Sequence, residues 1–248
     1  MIDFHCHLDL YKNPLAVLNE VNHRKVEVLA VTTSPRAYLI TSQYFNNFNN
    51  VRVALGFYPE LVANRRNEID LFMEQIAKCR YLGEVGIDGT SRNRSSYSEQ
   101  KKFFYDVLCE AEKYQGRVLS IHSRCAVKDV LECIDKSRNK NVPILHWFTG
   151  NLKELQEAIS LGCWFTINPK MCYSKAGRDI IMQLPLNKIL PETDAPFTEK
   201  NGVAYMPWDT EVIEFIALQY GMPIIEVKKQ MENNLQEICK ATLLSKIN

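Results

Sequence analysis

Eight short apolar runs alternate with amphipathic helical stretches along this chain, and its candidate metal ligands gather at the ends of the runs. The first run is Ile2-Asp3-Phe4-His5-Cys6-His7. Ile2 and Phe4 alternate with Asp3 and His5, the period of a strand, so His5 and His7 lie on one side of an extended chain. Two imidazoles converging from one strand end can grip one divalent ion. His122 ends Val118–His122, His146 ends Val142–His146, and Asp194 follows residues 188–193. Of the five histidines only His23 lies elsewhere, in the polar stretch Asn22-His23-Arg24-Lys25, which reads as an exposed helix end.

The pattern predicts strands near Ile2–His5, Val26–Thr32, Val51–Leu55, Tyr81–Ile87, Val118–His122, Val142–His146, Cys163–Ile167 and Ile189–Leu190. Helices are predicted after Pro14, from Pro35, over Ile69–Ile76 and over Ser98–Tyr114, with Ser98 as its cap. Further helices are predicted over Val127–Ile134, Leu152–Ile159 with a stop at Gly162, Ile180–Leu184, Thr210–Gln219, Ile224–Met231 and Asn234–Leu244. Alternation of this kind favours parallel strands covered by helices, and eight units in 248 residues point to an α/β (β/α)8 barrel. No Gly-rich loop follows the first strand, which argues against a dinucleotide-binding fold. No linker or repeat divides the chain, so residues 1–248 are read as one domain. In a barrel the strand C-termini share one face, and residues distant in sequence converge there.

Composition excludes several classes. Hydrophobic content of 46% and charged content of 24% suit a folded globular protein. No apolar run reaches the ~18 residues of a membrane span. An acid and two histidines precede any apolar stretch, so no signal peptide is expected and a cytoplasmic enzyme is the simplest reading. Eight scattered cysteines without CxxC spacing predict buried thiols rather than a disulfide framework. Cys6 lies between two candidate ligands but points away from them on a strand. Net charge is +1, so nucleic-acid binding would need a local basic rim, for which Arg65, Arg66, Arg92, Arg94, Lys101, Lys102, Arg124, Lys170 and Lys175 are candidates. For most of these a solvated face is the simpler reading.

Glu84, in Gly83-Glu84-Val85-Gly86-Ile87-Asp88, completes the set. Its carboxylate can bridge two cations held ~3.5–4 Å apart, the spacing of two-metal hydrolysis. The flanking glycines let the backbone come close. With His5, His7, His122, His146 and Asp194 it makes a nitrogen and oxygen site.

Five segments carry a resemblance: Asp3-Phe4-His5-Cys6-His7, Gly83–Asp88, Ile121-His122-Ser123-Arg124, His146-Trp147-Phe148-Thr149-Gly150 and Glu192-Thr193-Asp194-Ala195-Pro196. In this order the chain resembles the TatD family of metal-dependent hydrolases, within the amidohydrolase-like barrels. The resemblance implies a TIM-like barrel with its metal site at the C-terminal strand ends, divalent ions, two in the simplest case (Mg, Mn or Zn), and deoxyribonuclease activity. It implies that His5, His7, Glu84 and Asp194 serve one ion, and Glu84, His122 and His146 a second. It makes Asp194 the group that orients the attacking water and takes its proton, and Glu84 its bridging partner in catalysis. Arg124 could hold a phosphate bidentately, and Trp147 could stack a terminal base of DNA.

One departure stands out. Where the family usually has Gly-x-His-Pro after the third strand, this chain has Gly56-Phe57-Tyr58-Pro59-Glu60. Tyr58 can donate a hydrogen bond to substrate but cannot become a cation near neutral pH. Glu60 would repel phosphate if it faced the site. Three phrases, Ala30–Pro35, Leu119–Arg124 and Leu145–Gly150, resemble the TatD-like nuclease of Qat anti-phage defence systems, which implies an ATPase and a QueC-like protein as partners. Three functions follow: a nuclease acting on a DNA end, a hydrolase of another ester such as D-aminoacyl-tRNA, or a conditionally active partner-binding subunit.

Overall fold

In the computed structural model, residues 1–45 and 47–244 are described, so residues 245–248 of the expected domain lie outside the described residues. Strands β1 (Ile2–Cys6), β2 (Glu27–Val31) and β3 (Val51–Ala54) form one parallel sheet. Strands β4 (Tyr81–Gly86), β5 (Val118–His122), β6 (Val142–Leu145), β7 (Trp164–Ile167) and β8 (Ile189–Pro191) form a second. Two seams close them into a barrel. At the first, Leu55 bridges Leu82, and Thr32 N–H donates to the Gly83 carbonyl (3.2 Å). At the second, Asp194 N–H donates to the His5 carbonyl and His7 N–H to the Ala195 carbonyl, both at 2.9 Å. The Asp3 carboxylate reinforces this seam by accepting from Thr193 N–H (2.9 Å) and the Thr193 hydroxyl (2.6 Å). The expected (β/α)8 architecture is present.

Helices cover the outside: α1 (Pro14–His23), α2 (Pro35–Phe45), α3 (Ile69–Ile76), α4 (Tyr97–Glu112), α5 (Val127–Ser137) and α6 (Leu152–Ser160) follow the first six strands. After β7 come α7 (Pro169–Tyr173) and α8 (Lys175–Ile181). After β8 come a hairpin of β9 (Glu199–Lys200) and β10 (Val203–Ala204), then α9 (Glu211–Tyr220) and α10 (Ile224–Leu244). The starts are chemically marked. Asn13 accepts from Ala16 N–H ahead of Pro14, and Asn151 and Glu154 form a reciprocal capping box. Every residue of β1, β5, β6 and β7 is buried, because the barrel interior packs one face and the helices pack the other.

Three expectations change. Ser98 does not cap α4, which starts at Tyr97; Ser96 is at the cap position and its hydroxyl instead donates to the Asn93 carbonyl and accepts from Gln100. The two helices expected over 224–244 are one, since Asn234, where the second was expected to start, bonds into the barrel floor at the Leu186 and Ile189 carbonyls rather than breaking the helix. The β9–β10 hairpin was not foreseen, being too short for a periodic signal. The eight cysteines are free thiols, five of them buried, and Cys6 faces the Tyr11 hydroxyl and the Ala195 carbonyl, away from His5 and His7.

Candidate metal centre

The barrel's C-terminal end brings the six expected ligands together. β1 and the residue after it deliver His5 and His7, β4 delivers Glu84, β5 ends on His122, and His146 and Asp194 follow β6 and β8. All six are buried. The backbone of β4 reaches this position through Gly86, which has φ +145°; a Cβ there would lie 2.0 Å from the His122 carbonyl oxygen. Asp194 itself has φ +53°, held by its N–H bond to His5.

Glu84 divides the site. Its Oε2 lies 3.3 Å from His7 Nε2 and 3.8 Å from His5 Nε2. Asp194 Oδ1 is 3.6 Å from both of those nitrogens. The other oxygen of Glu84, Oε1, lies 2.6 Å from His122 Nδ1 and 2.9 Å from His146 Nε2. Each side, His5–His7–Glu84 and Glu84–His122–His146, offers ligand atoms within 4.8 Å of one another. His5, His146 and Glu192 form a third such group, with Glu192 Oε1 3.8 Å from His146 Nδ1.

The donors fit divalent cations. His5 Nε2 and His7 Nε2 are buried without a hydrogen-bond partner, a state that costs ~1–3 kcal/mol per group unless something binds there. Imidazole nitrogen with carboxylate oxygen suits Zn, Mn and related ions. Burial pushes the Glu84 carboxyl up, but His146, His122 and His7 outweigh it and hold the group well below the usual carboxylate range. Burial, reinforced by His146, pushes His5 well below the ordinary imidazole value. For His146, burial is outweighed by Glu84 and Glu192, and the imidazole sits well above it. Burial lifts Asp194 to about 7, against the pull of His146 and His7.

A family model described as TatD related DNase matches residues 2–240. This chain belongs to the TatD family. It is a metal-dependent hydrolase. The human deoxyribonuclease TATDN3 is 27% identical over 250 residues, covering 92% of this chain and 90% of the relative. An uncharacterized metal-dependent hydrolase of Buchnera aphidicola subsp. Baizongia pistaciae is 26% identical over 210 residues, covering 79% and 78%. The crystal structure of YJJV, a TatD homolog from Escherichia coli K12, shares the fold with a TM-score of 0.84 at 22% identity, covering 94% of this chain and 95% of that one.

Around the centre of this TatD protein, the expected substrate contacts are placed unevenly. Tyr58 is half-buried with its ring edge-on to His122 (centroids 5.4 Å apart). Burial and the nearby carboxylates of Glu84 and Glu60 push its hydroxyl well above the ordinary phenol value, so it stays a neutral donor. Glu60 forms an ion pair with Arg92. Arg124 is exposed on the turn after β5, with no ion-pair partner among the described residues. Trp147 is half-buried and packs on the main core, its backbone N–H donating to Glu192 Oε1 (3.1 Å). Most of the proposed basic rim is occupied: Arg65 meets Glu68, Arg66 meets Glu99, Lys101 meets Asp129 and Glu132, and Lys102 meets Asp106.

Sequence reasoning missed Phe197 and two acids behind the ligands. Phe197 is 60% exposed and stands edge-on to His7, with ring centroids 4.9 Å apart. It sits on the turn closed by its own N–H bond to the Asp194 carbonyl (3.0 Å), so its place is legible only after Asp194 is placed. Glu192 ties Trp147, Thr166 and Asn168 together behind His146. Asp88 bonds His122 from behind. Both acids lie in the quoted motifs, but no spacing rule separates a ligand from the residue that orients it.

Proposed function

We propose that residues 1–248 form one TatD-type domain that hydrolyses phosphodiester bonds at a DNA end. The observation that carries it is Glu84, whose two oxygens face two separate histidine groups among buried side chains, the geometry of a bridging carboxylate. On this reading His5, His7, Glu84 and Asp194 hold one divalent ion, and Glu84, His122 and His146 a second. Such ions, when bound, lower the pKa of water and offset charge on the phosphoryl oxygens. Asp194, buried beside His5 and His7, orients the water and accepts its proton on the carboxylate, then returns it to the leaving oxygen. DNA as substrate is supported by the relatives named deoxyribonucleases and by aromatic rings on both flanks, Phe197 beside His7 and Tyr58 beside His122. Arg124, without an ion-pair partner among the described residues, supplies a phosphate contact.

The test is cleavage of single-stranded DNA labelled at its 5′ or 3′ end, with Mg, Mn or Zn, comparing wild type with Asp194→Ala. Stepwise shortening by wild type alone supports an exonuclease. Absence of cleavage from folded, metal-loaded protein rejects it.

Tyr58, neutral where the family usually has histidine, favours a second reading: the same centre acting on another ester such as D-aminoacyl-tRNA. Release of the amino acid without DNA cleavage would support that reading. A cytoplasmic Qat-type defence role rests on the three sequence phrases alone; co-purification with the ATPase and QueC-like proteins tests it. No helix among the described residues is long and apolar enough to cross a membrane.

A further inference from the structure

Asp88 lies two residues beyond β4 and is wholly buried. Its Oδ1 accepts from Thr90 N–H (2.9 Å), from the Thr90 hydroxyl and from Asn93 Nδ2 (2.9 Å). Gln100 Oε1 accepts from the Asp88 backbone N–H (2.8 Å), fixing the main chain as well. One direction remains open, and there Oδ2 meets His122 Nε2 at 2.9 Å. A carboxylate whose other oxygen is saturated by three donors acts here as an acceptor. The proton between the two groups therefore belongs to His122 Nε2. A neutral imidazole protonated there carries its lone pair on Nδ1.

Nδ1 is the atom aimed at the centre, 2.6 Å from Glu84 Oε1 and 3.2 Å from His146 Nε2. We propose that Asp88 is a positioning residue that holds His122 in its Nε2–H tautomer and so makes Nδ1 the ligating nitrogen of the Glu84–His122–His146 group. It rests on the metal centre proposed above and is independent of the substrate.

The other histidines lack this arrangement. His5 Nδ1 meets the Ser120 hydroxyl at 2.7 Å, a group that can donate or accept and so leaves the tautomer open. His146 Nδ1 is 3.8 Å from Glu192, too far for a hydrogen bond. His7 Nδ1 has no hydrogen-bond partner. Among the described residues only His122 has a hydrogen-bonded carboxylate behind it. A carboxylate in this place raises the basicity of the opposite nitrogen and locks the ring, and removing such partners weakens metal binding by about 10–100-fold.

The experiment is zinc titration calorimetry together with nitrogen-15 NMR of the imidazoles, on the full chain. In zinc-loaded wild type, the His122 proton is expected on Nε2, with Nδ1 shifted by the metal. Asp88→Asn is expected to weaken one of two zinc equivalents by about 10–100-fold and leave the other unchanged. Thr90→Val, which removes only one bond to Asp88, is expected to give a smaller loss at the same equivalent. A His122 proton on Nδ1 in wild type overturns the proposal, and this needs no variant to fold. An Asp88→Asn protein that keeps both equivalents at wild-type affinity overturns it too, while leaving the metal centre standing. A wild type that takes up no zinc, manganese or magnesium overturns both.

Discussion

At the scale of single residues, the proposed function gives chemistry to Asp194 and recognition to Phe197. On the proposed mechanism Asp194 takes the water's proton; the group is buried, and its carboxyl sits at about 7 because burial outweighs its histidine neighbours. Its working form is the ionised one, so kcat should rise with pH through that value; bound cations favour the ionised form and draw the limb lower. Asp194→Asn should lower kcat by roughly 10²–10⁴-fold and abolish this acidic limb, as read from a pH–rate profile. A limb that persists in Asp194→Asn would assign the proton transfer elsewhere. Phe197 offers an exposed ring beside His7 and no proton chemistry. Stacking on an aromatic contributes ~1–3 kcal/mol per base. Phe197→Ala should therefore raise KM about tenfold or more and leave kcat close to wild type, and Phe197→Tyr should restore KM. A fall in kcat with unchanged KM would remove the stacking role.

Among the elements, the seam between β1 and β8 is the sensitive one. It is held by the His5–Asp194 and His7–Ala195 backbone bonds and by Asp3 gripping Thr193. Burial lifts the Asp3 carboxyl to about 7, although the Thr193 bonds pull the other way. In the unfolded chain Asp3 releases its proton near 3.8, while the folded chain keeps it until about 7. The folded state binds more protons between those values, so this group's contribution to stability is complete below the lower value. It is lost as pH rises to the upper one, at ~1.4 kcal/mol per unit. Asp3→Asn should flatten the dependence of Tm on pH across that window, measured by calorimetry without added metal. An unchanged slope would place the titration elsewhere. The pattern of short runs revealed the strands to within a residue or so, because each is a buried apolar segment. It did not reveal the seam, whose partners are 190 residues apart.

The whole molecule concentrates unpartnered nitrogens at one end. Among the described residues His5 Nε2 and His7 Nε2, which face Glu84 and Asp194, are buried with no hydrogen bond, so the fold is poised to gain from cation binding. A divalent ion at a hundredfold excess over its Kd should stabilise the native state by ~2.7 kcal/mol. For a chain of this size that is a Tm rise of roughly 5–10 °C, reversed by EDTA. The same Tm with and without chelator would reject the metal centre. Charge tells a different story across the surface. Several basic residues that read as a rim are consumed by neighbouring acids, which leaves Arg124 as the candidate phosphate contact of the β5 turn.

The sequence by itself determined which residue types stand at the strand ends. His5, His7, His122, His146 and Asp194 were legible there as candidates, because strand periodicity and barrel topology place strand ends on one face, and Glu84 was added from its glycine-flanked motif inside the fourth strand. Only the tertiary structure decided what each atom does. That Glu84 turns one oxygen to each histidine group, that Asp88 stands behind His122, and that Phe197 leans on His7 depend on closing the barrel. These contacts join different strands and their loops, across separations from 34 residues upward, where no local period operates. Side-chain direction at such a junction follows from packing and hydrogen-bond saturation, and these exist only once the seams are closed.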